Sequence, residues 1–196
     1  ISSLPLALLE REPNLRYQAR LVLRGDNSSV FVGDRAVAVA SVKPYMGWSA
    51  FLPLILEVVD LAKGSKVVSE TERISLRYVN LLEGASPAEQ FALVHYDASL
   101  GQAGYKLNSI LTYTRTEIEK DGLINIVELG ANAKVSTAKG ESLKGLVLTV
   151  DTIYANPSDF LANPKPHIEK AHDVEKSVFF DVLTKETLEK MGPIWA

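Results

Sequence analysis

Apolar and polar residues alternate along much of this chain, and a period of two predicts β-strands with one face buried. The alternation is loose from Leu15 to Leu23, and VFVGDRAVAVAS forms a second strand with a turn or bulge at Gly33-Asp34. The pattern returns in five later segments, at Thr71–Leu82, Phe91–Ala98, Leu107–Ile118, Leu123–Leu129 and Leu143–Ile153. The Lys120-Asp121-Gly122 turn predicts a hairpin, so we expect one antiparallel sheet of six to seven strands.

Two segments instead repeat apolar residues every three or four positions, which predicts helices with one buried stripe. The first runs from Trp48 to Gly64, with Ser49 as the expected N-cap and Pro53 inside. The second runs from His167 to Leu183. Thr184 is placed to cap a short last helix that extends through Met191.

Strands, helix, strands and helix in this order predict an α+β fold. We expect a twisted antiparallel sheet whose one face is covered by the Trp48–Ala62 and His167–Leu183 helices. At 196 residues the chain is long enough for a single domain over 1–196. Because it begins at Ile1 rather than at methionine, we allow for a missing N-terminal segment.

Composition narrows the classes of function. The net charge is −3, so no bulk attraction for a phosphate backbone exists and nucleic-acid binding is disfavoured. The absence of cysteine removes disulfides, thiolate metal ligands and cysteine nucleophiles, and it weakly favours a reducing, cytoplasmic location. The longest apolar stretch, 51–59, is broken by Glu57, so we expect no membrane span.

The usual catalytic motifs are missing from the sequence. It contains no GxSxG serine elbow, no GxGxxG or GxxxxGK[ST] phosphate loop and no HExxH metal motif. His167 and His172 are five residues apart, which places them far apart around a helix. We therefore expect no metal, no cofactor and no catalytic residue of a standard type.

Arg77 and Asn80 interrupt an otherwise apolar strand, one on each of its faces. Asp151 likewise ends an apolar strand, so we expect an Arg77–Asp151 pair inside the sheet. Removing one partner of such a buried pair would cost roughly 3 to 5 kcal/mol. Two alternatives stay open: Arg77 faces solvent and pairs with another carboxylate, or it anchors an anionic ligand.

The segment YMGWSAF, residues 45–51, concentrates aromatic side chains where a helix begins. Such residues most often pack against the first turn of the helix. A ligand pocket around Trp48 is the alternative, since the amides of a helix N-terminus can hold an anion.

Four pieces taken together, YMGWSAF, RISLRYVN, LVLTVD and HDVEKSVFFDVLT, resemble an uncharacterised, sporadically distributed family of prokaryotic proteins. The resemblance covers Val30 to about Ile194, and its most specific element is Arg77-Tyr78-Val79-Asn80. The chain departs from the family pattern in lacking a clear strand before Leu15. The resemblance implies this architecture and a prokaryotic source, but it implies no reaction.

Two functional hypotheses follow. The first is a non-enzymatic accessory or regulatory protein that binds a protein partner through its sheet and forms a homodimer, because Val79, Leu81, Val147 and Thr149 are too apolar for open water. The second is a small enzyme in which Arg77 anchors an anion and His172 serves as acid or base. The candidate ligand-binding or partner-binding residues are Trp48, Arg77, Asn80, Asp151 and His172.

Overall fold

The computed structural model describes residues 17–42, 44–66, 68–100, 104–106, 113–136 and 142–192. The chain forms two compact units, residues 1–70 and 71–196, and the single-domain expectation stays a prediction. The fold is α+β with antiparallel sheets, as the sequence predicts. The single sheet of six to seven strands is wrong, because the described strands pair in separate sheets of three, four and two.

The first unit contains a three-stranded meander and one long helix. Its strands are β1 (Ala19–Arg24), β2 (Ser28–Gly33) and β3 (Val37–Ser41), in the order β1-β2-β3. The segment that the sequence predicts as one strand is thus two strands, because the Gly33 amide bonds to the Ala36 carbonyl and closes a turn.

Helix α1 (Trp48–Gly64) contacts β3 and buries Phe51 and Val58. Its bounds agree with the periodic pattern. The expected Ser49 cap is wrong: Gly47, with a φ of 83°, precedes the first helical residue and its carbonyl accepts the Phe51 amide. Glycine suits this position because a side chain is strained at positive φ.

The second unit is built on a four-stranded sheet in the order β4-β9-β8-β7. Its strands are β4 (Arg73–Glu83), β7 (Tyr113–Lys120), β8 (Leu123–Ser136) and β9 (Ser142–Ala155), while β5 (Ser99–Leu100) and β6 (Tyr105–Lys106) form a separate pair. The expected hairpin is confirmed: Asp121 and Gly122 both have positive φ and join β7 to β8. Residues 107–112 of the predicted Leu107–Ile118 strand lie outside the described residues.

The described residues of this unit also form three helices: α2 (Pro87–Phe91), α3 (Pro164–Val182) and α4 (Lys185–Met191). The predicted Phe91–Ala98 strand is wrong. Ser86 accepts the Glu89 amide and starts α2, and beyond that helix only Val94 makes an isolated bridge, to Leu183. The last helix is confirmed, with Thr184 accepting the Thr187 amide.

Helix α3 packs on β4, β8 and β9 and gives the four-stranded sheet one covered face. The core beneath it includes side chains from all three strands and the helix, among them Leu123, Leu146, Leu148, Val150 and Ala171. Alternation along each strand then sends every second residue to the other face. We call the side that α3 covers the covered face and the opposite side the open face.

Candidate functional site

The open face of the four-stranded sheet places charged side chains in adjacent rows. One row across the strands is Val79, Thr149, Glu128 and Arg115, and the next is Arg77, Asp151, Ile126 and Glu117. Thr149 is 2% exposed, whereas the other seven residues are exposed or half-buried on the face opposite to α3. Strand register therefore brings residues from four separate segments onto one surface.

Glu128 is the centre of this surface. Its carboxylate lies 3.2 Å from the Arg77 guanidinium and 3.8 Å from that of Arg115, and it accepts a hydrogen bond of 2.6 Å from the Tyr113 hydroxyl. Arg115 is also 2.8 Å from Glu117. We call Arg77, Tyr113, Arg115, Glu117 and Glu128 the charge cluster. The ion pairs and the hydrogen bond hold these side chains in fixed positions on the sheet.

The hydrogen bond that Tyr113 donates to Glu128 raises the pKa of the phenol, since ionisation would remove the donor and place a second anion beside Glu128. Tyr113 therefore stays protonated at neutral pH. A phenol in this state is a hydrogen-bond donor rather than a base, so the cluster offers fixed dipoles and charges rather than an activated nucleophile.

Apolar side chains surround the charge cluster. Val79 is 62% exposed and Ile124 43%, and Tyr113 inside the cluster is 65% exposed. Ile126, Val147 and Ile153 lie on the same face and are half-buried. An exposed apolar surface that encloses paired charges is typical of protein interaction sites.

Arg77 and Asp151 lie directly opposite each other in the β4–β9 register, as expected. The expected ion pair between them is nevertheless wrong. The Arg77 side chain is 54% exposed and turns to Glu128, while Asp151 accepts a hydrogen bond from the Ser75 hydroxyl. Both residues are on the open face, where a charge needs no buried partner.

The other candidate residues of this unit lie on the covered face. Asn80 is half-buried opposite Leu148. His172 belongs to α3, and its ring centroid is 6.3 Å from that of Tyr78. Burial lowers the pKa of His172, although neighbouring Asp173 opposes the shift. The sheet itself thus separates His172 and Asn80 from Arg77 and Asp151.

Trp48 belongs to the first unit, where it is the first residue of α1. Its ring meets that of Phe51 edge-on at 6.5 Å, and Tyr45 meets the same ring at 6.2 Å. Phe51 is 7% exposed. These contacts agree with the packing interpretation of YMGWSAF.

The covered face contains a charged residue that the sequence argument overlooked. Glu175 is 5% exposed within the apolar stripe of α3, between Ala171 and Phe179 at spacings of four. Burial raises the pKa of its carboxyl group to about 8, so the group is protonated at neutral pH. Its position on an apolar stripe is the sequence signal that could have identified it.

Two further buried polar groups are fully bonded. The Thr152 hydroxyl donates to Asn125 Oδ1 at 2.6 Å, and the Asn125 amide nitrogen is 3.3 Å from the carbonyls of Ile118 and Leu123. Both residues are 0% exposed. Their hydrogen bonds stabilise the centre of the covered face.

Glu128, Arg115 and Tyr113 were also missed by the sequence argument. Glu128 interrupts the apolar alternation of LINIVELG as Arg77 interrupts that of RISLRYVN. The same signal that singled out Arg77 could therefore have identified Glu128. Arg77 contacts Glu128 across β9, which lies between β4 and β8. Neither sequence segment alone predicts this strand order.

Within the described residues, no group of three or more His, Asp or Glu side chains is arranged to hold a metal ion. No helix in that part of the chain is long and apolar enough to cross a membrane. No family model, no curated protein and no solved structure matches the chain.

Proposed function

We propose that this chain is a non-enzymatic binding protein of the accessory or regulatory kind, that it acts as a homodimer, and that a protein partner docks on the open face. The observation that carries the proposal is the charge cluster around Glu128, which includes the exposed ring of Tyr113, with exposed Val79 and Ile124 beside it. Interaction surfaces of proteins combine such apolar area with polar groups whose geometry is fixed.

The charges of the open face indicate the chemistry of the partner. By strand parity the face has three arginines, at 73, 77 and 115, against five carboxylates, at 83, 117, 119, 128 and 151. The excess is negative, and Arg77 and Arg115 already share Glu128. Complementarity therefore favours a protein surface that presents apolar and basic side chains.

The enzyme hypothesis lacks this support. It required an anion anchor and a proton-transfer group in one pocket, but Arg77 lies on the open face and His172 on the helix that packs against the covered face. Arg77 is also paired with Glu128, which reduces its attraction for an anionic substrate. Neither group can reach a substrate that the other holds.

We also propose that the chain is a member of the sporadically distributed prokaryotic family and that it is located in the cytoplasm. The family motif Arg77-Tyr78-Val79-Asn80 runs along β4 and contributes Arg77 and Val79 to the open face. A role of this motif in binding would explain why polar residues interrupt an apolar strand.

Site-specific photo-cross-linking in cells tests the proposal. A benzoylphenylalanine at position 113 replaces one exposed aromatic ring by another on the open face, and the same residue at Lys185, 90% exposed on α4, is the matched control. We expect an adduct of defined mass from position 113 and none from position 185. An adduct of the chain with itself would instead make the open face a contact between copies and overturn the partner.

The partner identified in this way is then purified and its affinity measured. Ile124→Asp should lower the affinity at least tenfold, since a buried carboxylate would replace an apolar contact. Leu61→Asp, at a 68% exposed position of α1, should leave the affinity unchanged. Equal affinities of wild type and Ile124→Asp would overturn docking on the open face.

A further inference from the structure

Strand β4 is an unusually long and regular edge strand. It pairs with β9 over all eleven residues without a register shift, and it is the first strand in the order β4-β9-β8-β7. The strand contains no proline or glycine. Long, flat edges of this kind are templates for pairing with another strand, and proteins usually shorten, bend or cover them.

The backbone of β4 has a free side with a defined parity. At the two ends of the ladder, the Glu72 carbonyl accepts from Asn156 and the Gly84 amide donates to Lys144. Even-numbered residues therefore bond to β9, and the amides and carbonyls of the odd-numbered ones point outward. Within the described residues, the outward backbone groups of Ser75, Arg77, Val79 and Leu81 have no hydrogen-bond partner.

The other edge strand of the same sheet is better protected. Strand β7 has eight residues, and four of the last six are charged: Arg115, Glu117, Glu119 and Lys120. Charged residues on an edge oppose pairing with a further strand. Strand β4 has three charged residues among eleven, Arg73, Arg77 and Glu83, while Ser75, Val79 and Leu81 carry no charge.

We propose that β4 pairs antiparallel with β4 of a second copy, so that two four-stranded sheets join into one continuous sheet across a two-fold axis. The occupant of the edge is a second copy because the strand is complementary to itself. Antiparallel pairing about Tyr78 places Arg73 opposite Glu83 at both ends and pairs all eleven residues.

This register is also compatible with the outward backbone groups of β4 and avoids contacts between like charges. It joins odd-numbered residues to odd-numbered ones, as the outward groups require. Arg77 then lies opposite Val79 of the second copy rather than opposite another arginine. On the covered face Ile74 lies opposite Leu82, which continues the apolar surface beneath the helices. Pairing centred on Arg77 would instead place two guanidinium groups together.

This inference rests on the homodimer of the proposed function and specifies the surface that forms it. The two open faces would become one surface of double width. Docking of a partner near Tyr113 and Ile124 does not depend on it, because those residues are on β7 and β8, away from the β4 edge.

Proline substitution tests the edge. Val79→Pro removes an outward amide that β9 does not use, so the subunit should fold while the dimer is lost. The matched control is Glu117→Pro on β7, because the two-residue turn at Asp121–Gly122 makes odd-numbered amides of β7 point outward as well. Light scattering on the full chain should show a dimer for wild type and Glu117→Pro and a monomer for Val79→Pro, with circular dichroism as the folding check.

Disulfide trapping tests the register, and it is specific because the chain has no cysteine. Mixed Arg77→Cys and Val79→Cys chains should form a heterodimeric disulfide, since directly paired strand residues lie about 5.5 Å apart. Chains with only one of the two substitutions should cross-link at least tenfold more slowly, because the like residues are offset by about 7 Å along the strand.

Each result has a defined meaning. A dimer that survives Val79→Pro, or that traps no mixed disulfide, would overturn pairing through β4 while retaining the homodimer. A monomeric wild type at micromolar concentration would overturn both the edge pairing and the homodimer. If Val79→Pro fails to fold, the mixed-disulfide result alone decides, because both cysteine positions lie on the exposed face of β4.

Discussion

The two faces of the four-stranded sheet use polar residues in opposite ways. On the covered face, Asn125 and Thr152 are 0% exposed and bond to each other, and Glu175 is protonated rather than paired. On the open face, Arg77, Arg115 and Glu128 form ion pairs in contact with solvent. The same strands therefore combine buried polar residues that are neutral with ion pairs that contact solvent and contribute little to stability.

The largest expected difference between the two faces is the change in unfolding free energy when an apolar side chain is truncated. Leu148→Ala removes a 0% exposed side chain from the core and should cost about 2 to 5 kcal/mol of unfolding free energy. Ile124→Ala, on the open face at 43% exposure, should cost less than half as much. Urea denaturation of both variants measures the difference, and equal costs would show that the open face is covered in the folded protein.

The next effect depends on pH. The pKa of Glu175 is about 8 in the folded protein against 4.5 unfolded, so the folded state binds the proton more tightly. Its contribution to stability is fully present below pH 4.5 and is lost as the pH rises through 8. Wild type should therefore lose a few kcal/mol relative to Glu175→Gln between pH 5 and 8.5. A constant difference across this range would contradict a buried, protonated carboxyl group.

A smaller effect is expected from buried hydrogen bonds. Thr152→Val keeps the shape of the side chain but removes the hydroxyl that donates to Asn125 Oδ1, at a cost of about 1 to 3 kcal/mol. Ser75→Ala removes the hydrogen bond to Asp151 on the open face and should cost less than about 0.5 kcal/mol. Thermal unfolding of the two variants compares the faces directly, and the comparison fails if Ser75→Ala is the more costly change.

The smallest effect concerns the charge cluster. Arg77→Ala should change the unfolding free energy by less than about 1 kcal/mol, because the guanidinium is 54% exposed and its ion pair is screened by solvent. A double-mutant cycle of Arg77 and Glu128 should give a coupling of similar size that decreases in high salt. A coupling of 3 kcal/mol or more would restore the idea of a buried pair at Arg77.

The sequence predicted individual elements better than their association. The periods of α1 and α3, the Asp121-Gly122 turn and the Thr184 cap are local signals, and each agrees with the structure to within three residues. Strand alternation, in contrast, identifies a strand and its two faces but not its neighbours. One expected sheet therefore became separate sheets of three, four and two strands.

The failure at Phe91–Ala98 has a local cause. Ser86-Pro87-Ala88-Glu89 is a capping box with proline at the first helical position, and the Glu89 carboxylate bonds back to the Ala85 amide and the Ser86 hydroxyl. These signals predict a helix start, and the apolar residues that follow were assigned to a strand instead. A turn of helix that buries Gln90 and Phe91 looks like a short strand when only apolar alternation is considered.

The contacts around Arg77 could be predicted only in part for the same reason. Polar interruption of apolar strands singled out Arg77 and Asp151, and the register brings the two residues opposite each other. The partner of Arg77 could not be predicted, because Glu128 lies 51 residues away on a strand two positions across the sheet. His172 and Asn80 were placed in the same candidate site as Arg77 and Asp151 because the sequence does not show which face of each strand packs against the helix.

The irregular point of β8 has a consequence for the exchange of backbone protons with water. At the register shift between Gly130 and Ala133, the Asn132 amide donates to the Gln90 side chain at 2.8 Å, and the Gln90 amide nitrogen donates to the Gly84 carbonyl at the same distance. The Gln90 side chain thus replaces a backbone hydrogen bond that the register shift removes from the sheet. Deuterium should therefore replace the Asn132 proton as slowly as those of the regular strand, so this interruption opens only together with α2 and the end of β4.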